Sequence, residues 1–333
     1  MPSATFSLAG PVLAVEADDE ALLAAVRASI GPLEIGEPTA PAVRWIVRRG
    51  VPPEAPNDLP LQYEGPMPFS GLPVRYRGAA GRTVLAASGV LSLDFELAER
   101  SGEMVVAPGV DGLPLYEALT LALAAAMTMT GQTVLHAAAL GVPGGDGAIM
   151  IFAPSGTGKT TTSIALAHRG FALLTDDESI VRPSGEGWAV WGKPRPLKVH
   201  RRTADLMPWL YPYLTRAWDE NGEQGLRAEA VPEIAHMPAG HVLPVRALVW
   251  LRERVAGATC FEPADKVEML LALAGDNLRH GRTGTPPEQL AAFSVISDMV
   301  RRLPTFALHV GGDLPSTPDL VLAGLHPPET AAA

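Results

Sequence analysis

One stretch near the middle of the chain restricts its fold more than any other: the apolar run GAIMIFA, then APSGTGKT at 153–160, then KTTTSIALAHRG. A glycine-punctuated turn between an apolar strand and a helix is how a phosphate-binding loop is built. Its backbone N–H groups turn inward, and the helix N-terminus favours negative charge. The spelling follows Gly-x-x-x-x-Gly-Lys-Ser/Thr, except that Ala153 stands where the first glycine is usual. Gly156 and Gly158 still leave the loop free to turn. Ser155, Gly156, Thr157, Gly158, Lys159, Thr160 and Thr161 are the expected nucleotide contacts, with Lys159 reaching the β- and γ-phosphates and the Thr160 hydroxyl meeting Mg²⁺. ATP and Mg²⁺ are the expected cofactors.

The helix stops at Gly170, and the strand FALLTDD closes on Asp176 and Asp177, seventeen positions after Lys159. Carboxylates so near the loop belong to the next strand in the chain. Adjacent residues on a regular strand face opposite sides, so both can serve one site only where the strand ends. One carboxylate can then hold the metal while the other faces an acceptor.

Around this centre the chain divides by pattern. Residues 1–112 show short alternating runs (VRWIVRR, LPVRYRG, TVLAAS, VLSLDFEL) and one early amphipathic helix, DDEALLAAVRAS. They read as a smaller β-rich, α+β domain that could recognise a substrate, for example by strand addition at a sheet edge. Residues 113–325 read as an α/β domain carrying the loop, and 326–333 as a loose tail. The 333 residues are 47% hydrophobic, enough for a substantial core.

Charge and cysteine usage exclude several classes. The formal net charge is −10 and no long basic run occurs, so nucleic acid is a poor partner. A single cysteine, Cys260, allows neither an internal disulfide nor a thiolate metal cluster. The residues from Met1 lack a basic segment followed by a long apolar core, and a cytoplasmic location is expected. The apolar stretch 118–142 is interrupted by Thr128, Thr130, Gly131, Gln132 and Thr133, which splits it into a helix and a strand. No membrane association is expected, and homo-oligomerisation is left open.

The segment LHAAALGVPGGDGAIMIFAPSGTGKTTTSIALAHRGFALLTDDESIV resembles the catalytic core of the HPr kinase/phosphorylase family, whose P-loop fold is related to phosphoenolpyruvate carboxykinase. Four features match in order: His136, the loop with Lys159, Arg169-Gly170 ending its helix, and the Asp pair. The resemblance implies a P-loop kinase core over about 133–183. It also implies Asp176 as the base, Asp177 with Thr160 near Mg²⁺, and His136 hydrogen-bonded to the carboxylates.

That family carries a Glu-Ile-Arg-Gly-Leu-Gly type signature further on, where this chain reads WAVWGKPRPLKVHRRT. The loss puts phosphorolysis in doubt. The replacement is cationic and stiffened by Pro194 and Pro196, with Arg195 and Lys198 the candidates to meet phosphate or substrate. A second basic cluster spans Leu278–Gly284. These departures are similar to the HPr-kinase-like enzymes that phosphorylate a C-terminal serine of lasso peptide precursors. The implied function is ATP-dependent transfer to a serine hydroxyl of a peptide or protein. Alternatives are an HPr-type protein serine kinase, a small-molecule hydroxyl kinase, and a nucleotide-binding regulator without transfer.

Overall fold

The computed structural model describes residues 1–36, 40–67, 70–79, 81–278 and 287–325. The tail and all of the second basic cluster beyond Leu278 therefore lie outside the described residues. The protein is of mixed α/β class and separates into two compact units, 1–134 with 277–295 and 135–276 with 296–333.

The first unit is built on an eight-stranded sheet. Its elements are β1 (Ser3–Ser7), β2 (Val12–Ala17), α1 (Glu20–Ile30), β3 (Val43–Arg49), β4 (Leu61–Pro66), β5 (Pro73–Ala79), β6 (Arg82–Ala87), β7 (Leu91–Glu96), β8 (Ser101–Val106) and α2 (Gly112–Met129). The strand order is β1-β2-β3-β8-β7-β6-β5-β4. β3 lies parallel to both β2 and β8, while the remaining pairs are antiparallel. Strand alternation is clean in β3, where Val43, Trp45 and Val47 are buried and Arg44 and Arg48 are exposed. α1 starts on Asp19, whose carboxylate accepts the Leu22 N–H at 2.8 Å.

The boundary falls between Val134 and Leu135, not at the composition shift near residue 112. The cause is α2, which packs on α1, β7 and β8 and so belongs with the first sheet. Among the described residues it is the one helix long and apolar enough to cross a membrane, and 56% of that apolar window is buried within the protein.

The chain continues with β9 (Thr133–His136), which runs across the boundary, then β10 (Ala138–Gly141), β11 (Ala148–Phe152), α3 (Lys159–His168), β12 (Ala172–Thr175), β13 (Glu178–Ser184), β14 (Gly187–Gly192), β15 (Leu197–His200), α4 (Arg201–Leu206), β16 (Glu223–Leu226), β17 (Leu243–Leu251), β18 (Cys260–Pro263) and α5 (Lys266–Asn277) of the second unit, α6 (Pro287–Arg302), whose residues up to 295 are grouped with the first unit, and β19 (Thr305–His309) and α7 (Thr317–Leu325) of the second. β11, β17 and β19 lie parallel side by side. β10 pairs antiparallel with both β11 and β12, so β12 runs in the direction of β11 with β10 between them. The strand carrying the Asp pair is thus next in the chain but one removed in the sheet. β11 is buried along its whole length, as expected of a strand covered on both faces. α3 lays Ile164 and Leu166 into an apolar cluster with Leu140, Ile149, Ile151 and Val249.

Candidate functional site

The register brings three chain segments to one end of this sheet. Ala138 pairs with Ile151 and Ala139 with Thr175, so the start of β10, the end of β11 and the end of β12 lie together. In open α/β sheets the crevice outside the carboxyl ends of parallel strands is where ligands bind.

The loop leaves β11 at Ala153, which is fully buried and has a negative φ. Its methyl group belongs to the core, so the glycine usual at this place is not needed. Gly156 and Gly158 take left-handed φ values of 82° and 108°, and nothing lies within 4 Å of where their Cβ atoms would stand. The chain turns there on glycines facing open space, and Gly158 forms the N-cap of α3. Ser155 and Gly156 are exposed, while Thr157, Gly158, Thr160 and Thr161 are half-buried. The Thr161 hydroxyl is engaged with that of Thr203 at 2.7 Å, tying α3 to α4.

A bulge lies in the β10–β12 pairing, between Ala139 opposite Thr175 and Leu140 opposite Leu173. Immediately after it Asp176 and Asp177 form a bend between β12 and β13. Both carboxylates can therefore face one site.

His136 arrives by a second irregularity. The strand expected at the end of the stretch 118–142 is broken at Ala137, whose N–H donates to the Asp177 carbonyl at 2.8 Å and whose carbonyl accepts the Ser179 hydroxyl at 2.8 Å. Nδ1 of His136 is then 2.9 Å from Asp177 Oδ1, and Nε2 is 2.9 Å from Lys159 Nζ. An ammonium can only donate, so Nε2 accepts and the ring proton on Nδ1 goes to Asp177.

The two carboxylates have different surroundings. The Thr160 hydroxyl donates to Asp176 Oδ2 at 2.7 Å, while Asp176 Oδ1 is buried with no hydrogen-bond partner. Burial pushes the Asp176 carboxyl up, against the pull of Arg195, Thr160 and Lys159. Burial also acts on Asp177, but the hydrogen bond from His136 and the charges of Arg195 and Lys159 outweigh it and hold that carboxyl well below the usual range. Burial lowers Lys159, against Asp177 and Asp176. Asp176 is only 2% exposed, whereas a quarter of the Asp177 side chain reaches solvent. The resemblance groups Thr160 with Asp177; in the structure the Thr160 hydroxyl is on Asp176.

Of the two cations singled out in the KPRPLKVH segment, Arg195 turns inward. It is ion-paired with Asp177 and lies 3.7 Å from Glu178 Oε2. Lys198 does not turn inward. Leu197 and Val199 of β15 are buried, and alternation sends Lys198 outward to an exposed position. Sequence reading missed the buried pair Lys193–Glu178, 2.9 Å apart. The β13–β14 hairpin sets Ser179 opposite Gly192 and hence Glu178 beside Lys193. Counting outward from the SGEG turn would have found it. A further carboxylate, Asp276 of α5, is half-buried and feels the charges of His136 and Lys159.

Among the described residues no group of three His, Cys, Asp or Glu side chains is placed to hold a metal ion. The residues do fit Mg²⁺ bound jointly with phosphates, an ion that keeps several waters and takes few protein ligands. The supporting observation is the Thr160 hydroxyl beside Asp176, whose second oxygen is buried and unpartnered. No protein-family model matches this chain, and no curated protein matches it.

Proposed function

We propose that the chain is an ATP-dependent kinase with a P-loop core of the HPr kinase/phosphoenolpyruvate carboxykinase type, transferring the γ-phosphoryl group to a serine hydroxyl of a peptide or protein. The observation that carries this reading is the convergence of Lys159, Thr160, the Asp176–Asp177 bend and His136 at one end of the sheet. A glycine-rich anion loop alone would suit any nucleotide-binding protein. A histidine-supported carboxylate open to solvent beside the loop lysine is what an acceptor requires.

In this reading the loop amides and Lys159 bind the phosphates. Thr160 and Asp176 would hold Mg²⁺, which offsets phosphate charge. Asp177 accepts the proton of the acceptor hydroxyl while that oxygen bonds to the γ-phosphorus and the bond to the β–γ bridging oxygen breaks, leaving ADP. His136 fixes the carboxylate by its Nδ1–H. The roles of the two Asp residues are thus exchanged relative to the resemblance. What supports the exchange is the Thr160–Asp176 hydrogen bond together with the burial of Asp176, which keeps it from an incoming hydroxyl.

The serine acceptor rests on the resemblance, most closely to kinases of lasso-type precursor peptides. The sheet of the first unit ends in β1, whose outer side is already bonded to Glu34 and Ile35, and in β4, the edge where an extended peptide could add a strand. Titrating the protein with Mg·ATP by calorimetry tests the nucleotide half of the proposal. Binding that disappears in Lys159→Ala is expected, and absence of binding by the unaltered protein would end it.

A further inference from the structure

Two cations converge on one carboxylate at the centre of this site. Lys159 Nζ lies 3.4 Å from Asp177 Oδ1, and Nη1 of Arg195 is on Oδ2. They come from different elements and take different oxygens: Lys159 opens α3 and is nearest Oδ1, while Arg195 lies beyond the end of β14 and is on Oδ2. Two cations, one on each oxygen of an anion, are an arrangement that also suits a phosphate.

Arg195 stands on a fixed support. Gly192 lets the end of β14 press against β12, since a Cβ there would stand far inside contact distance of the Leu174 carbonyl and 2.8 Å from Thr175 Cβ. Lys193 is then tied twice to Glu178, by its N–H to the Glu178 carbonyl at 3.1 Å and by the 2.9 Å ion pair. Pro194 and Pro196 hold the backbone on either side of Arg195. The strap delivers a planar, multiply donating cation to the carboxylates without freedom to wander.

We infer that Arg195 is the second arm of a phosphate clamp, binding the terminal phosphate of the nucleotide opposite Lys159, and that Asp177 competes with that phosphate for both cations. This rests on the nucleotide reading above. Its consequence is coupling: when the terminal phosphate takes Lys159 and Arg195, the Asp177 carboxylate is released to face the acceptor. The clamp also gives the site a means to tell a triphosphate from a diphosphate.

The test is equilibrium binding, which does not depend on the acceptor. Mg·ATP and Mg·ADP are titrated into the full-length protein and into Arg195→Ala, Arg195→Lys, Asp177→Asn and, as an exposed control, Lys198→Ala, with thermal melts recorded for each. The clamp predicts that Arg195→Ala weakens ATP at least about tenfold while ADP changes less than about twofold, as expected of a lost charge-assisted contact to one phosphate. It predicts an intermediate effect for Arg195→Lys, none for Lys198→Ala, and tighter ATP binding by Asp177→Asn because the competing carboxylate is gone. Equal losses of ATP and ADP in a folded Arg195 variant, or ATP binding that Asp177→Asn leaves unchanged or weakens, would overturn it. Should Arg195→Ala not fold, the Arg195→Lys and Asp177→Asn measurements decide alone. Failure of the unaltered protein to bind either nucleotide would remove the nucleotide reading and the clamp together; nucleotide binding without the Arg195 effect would remove only the clamp.

Discussion

The hydroxyl of Thr160 donates to Oδ2 of Asp176 at 2.7 Å, and not to Asp177 one residue further on. That bond divides the Asp pair into a buried member beside the loop threonine and a partly exposed member beside His136. The expected consequence is a split between two isosteric variants. Asp176→Asn weakens binding of the magnesium-nucleotide complex relative to metal-free nucleotide, whereas Asp177→Asn leaves the magnesium dependence of binding intact and lowers transfer by about 10²-fold or more. Titrations with and without Mg²⁺, alongside single-turnover rates, check this; the opposite pattern would restore the assignment implied by the resemblance.

Gly192 is a place where only glycine fits, because β14 runs against the backbone of Leu174. Gly192→Ala forces the two strands apart and moves Arg195 away from the Asp bend. A loss of stability of about 1–3 kcal/mol is expected from such overpacking. Denaturant melts measure it, and an unchanged midpoint would show that the strands yield freely.

The Lys193–Glu178 pair is buried on the lysine side, where only 4% of the side chain is exposed. Breaking a buried pair from one side strands the other charge, so Glu178→Ala should cost about 3–5 kcal/mol. Arg195 near Glu178 makes the loss larger still. Replacing both partners, Glu178→Leu with Lys193→Met, should cost clearly less than Glu178→Ala alone. A double variant no more stable than the single one would mean that the pair does not act as a unit.

Acid sensitivity is expected near the C-terminal helix α7. The Asp313 carboxyl is held down to about 2 by hydrogen bonds from Ser316 and from the side chain and backbone of Thr259. Its folded value lies below the ordinary value of 3.8, so its contribution is complete above about pH 4 and is lost as pH falls through about 2. Asp313→Asn should therefore melt below the unaltered protein at neutral pH, with the gap closing toward pH 2. A gap that persists at low pH would assign the effect to packing.

The loop and the Asp pair were legible because both are local. Glycines at 156 and 158 with a helix behind them, and two carboxylates closing an apolar strand, need no knowledge of distant contacts. The bend at Asp176–Asp177 follows from strand geometry and is found. Lys198 stands in a dense positive run, which suggests an inward role, but the Leu197–Val199 alternation faces it outward. The placement of α2 with the first sheet was not legible, since an apolar helix buries equally well on either unit until the sheets exist. The same is true of β10 standing between β11 and β12, which is a matter of sheet order.

The proposed phosphoryl transfer to a hydroxyl takes place at the Asp177–His136 end of the site. Its most direct test is incubation of the unaltered protein and Asp177→Asn with Mg·ATP and serine-bearing peptides, with acceptor masses and ADP both followed. The expected result is an acceptor heavier by one phosphoryl group, matched by ADP, with both formed about 10²-fold or more slowly by Asp177→Asn. Tight binding of Mg·ATP with no phosphorylated peptide, protein or small hydroxyl compound and no ADP would contradict the claim and leave a nucleotide-binding regulator.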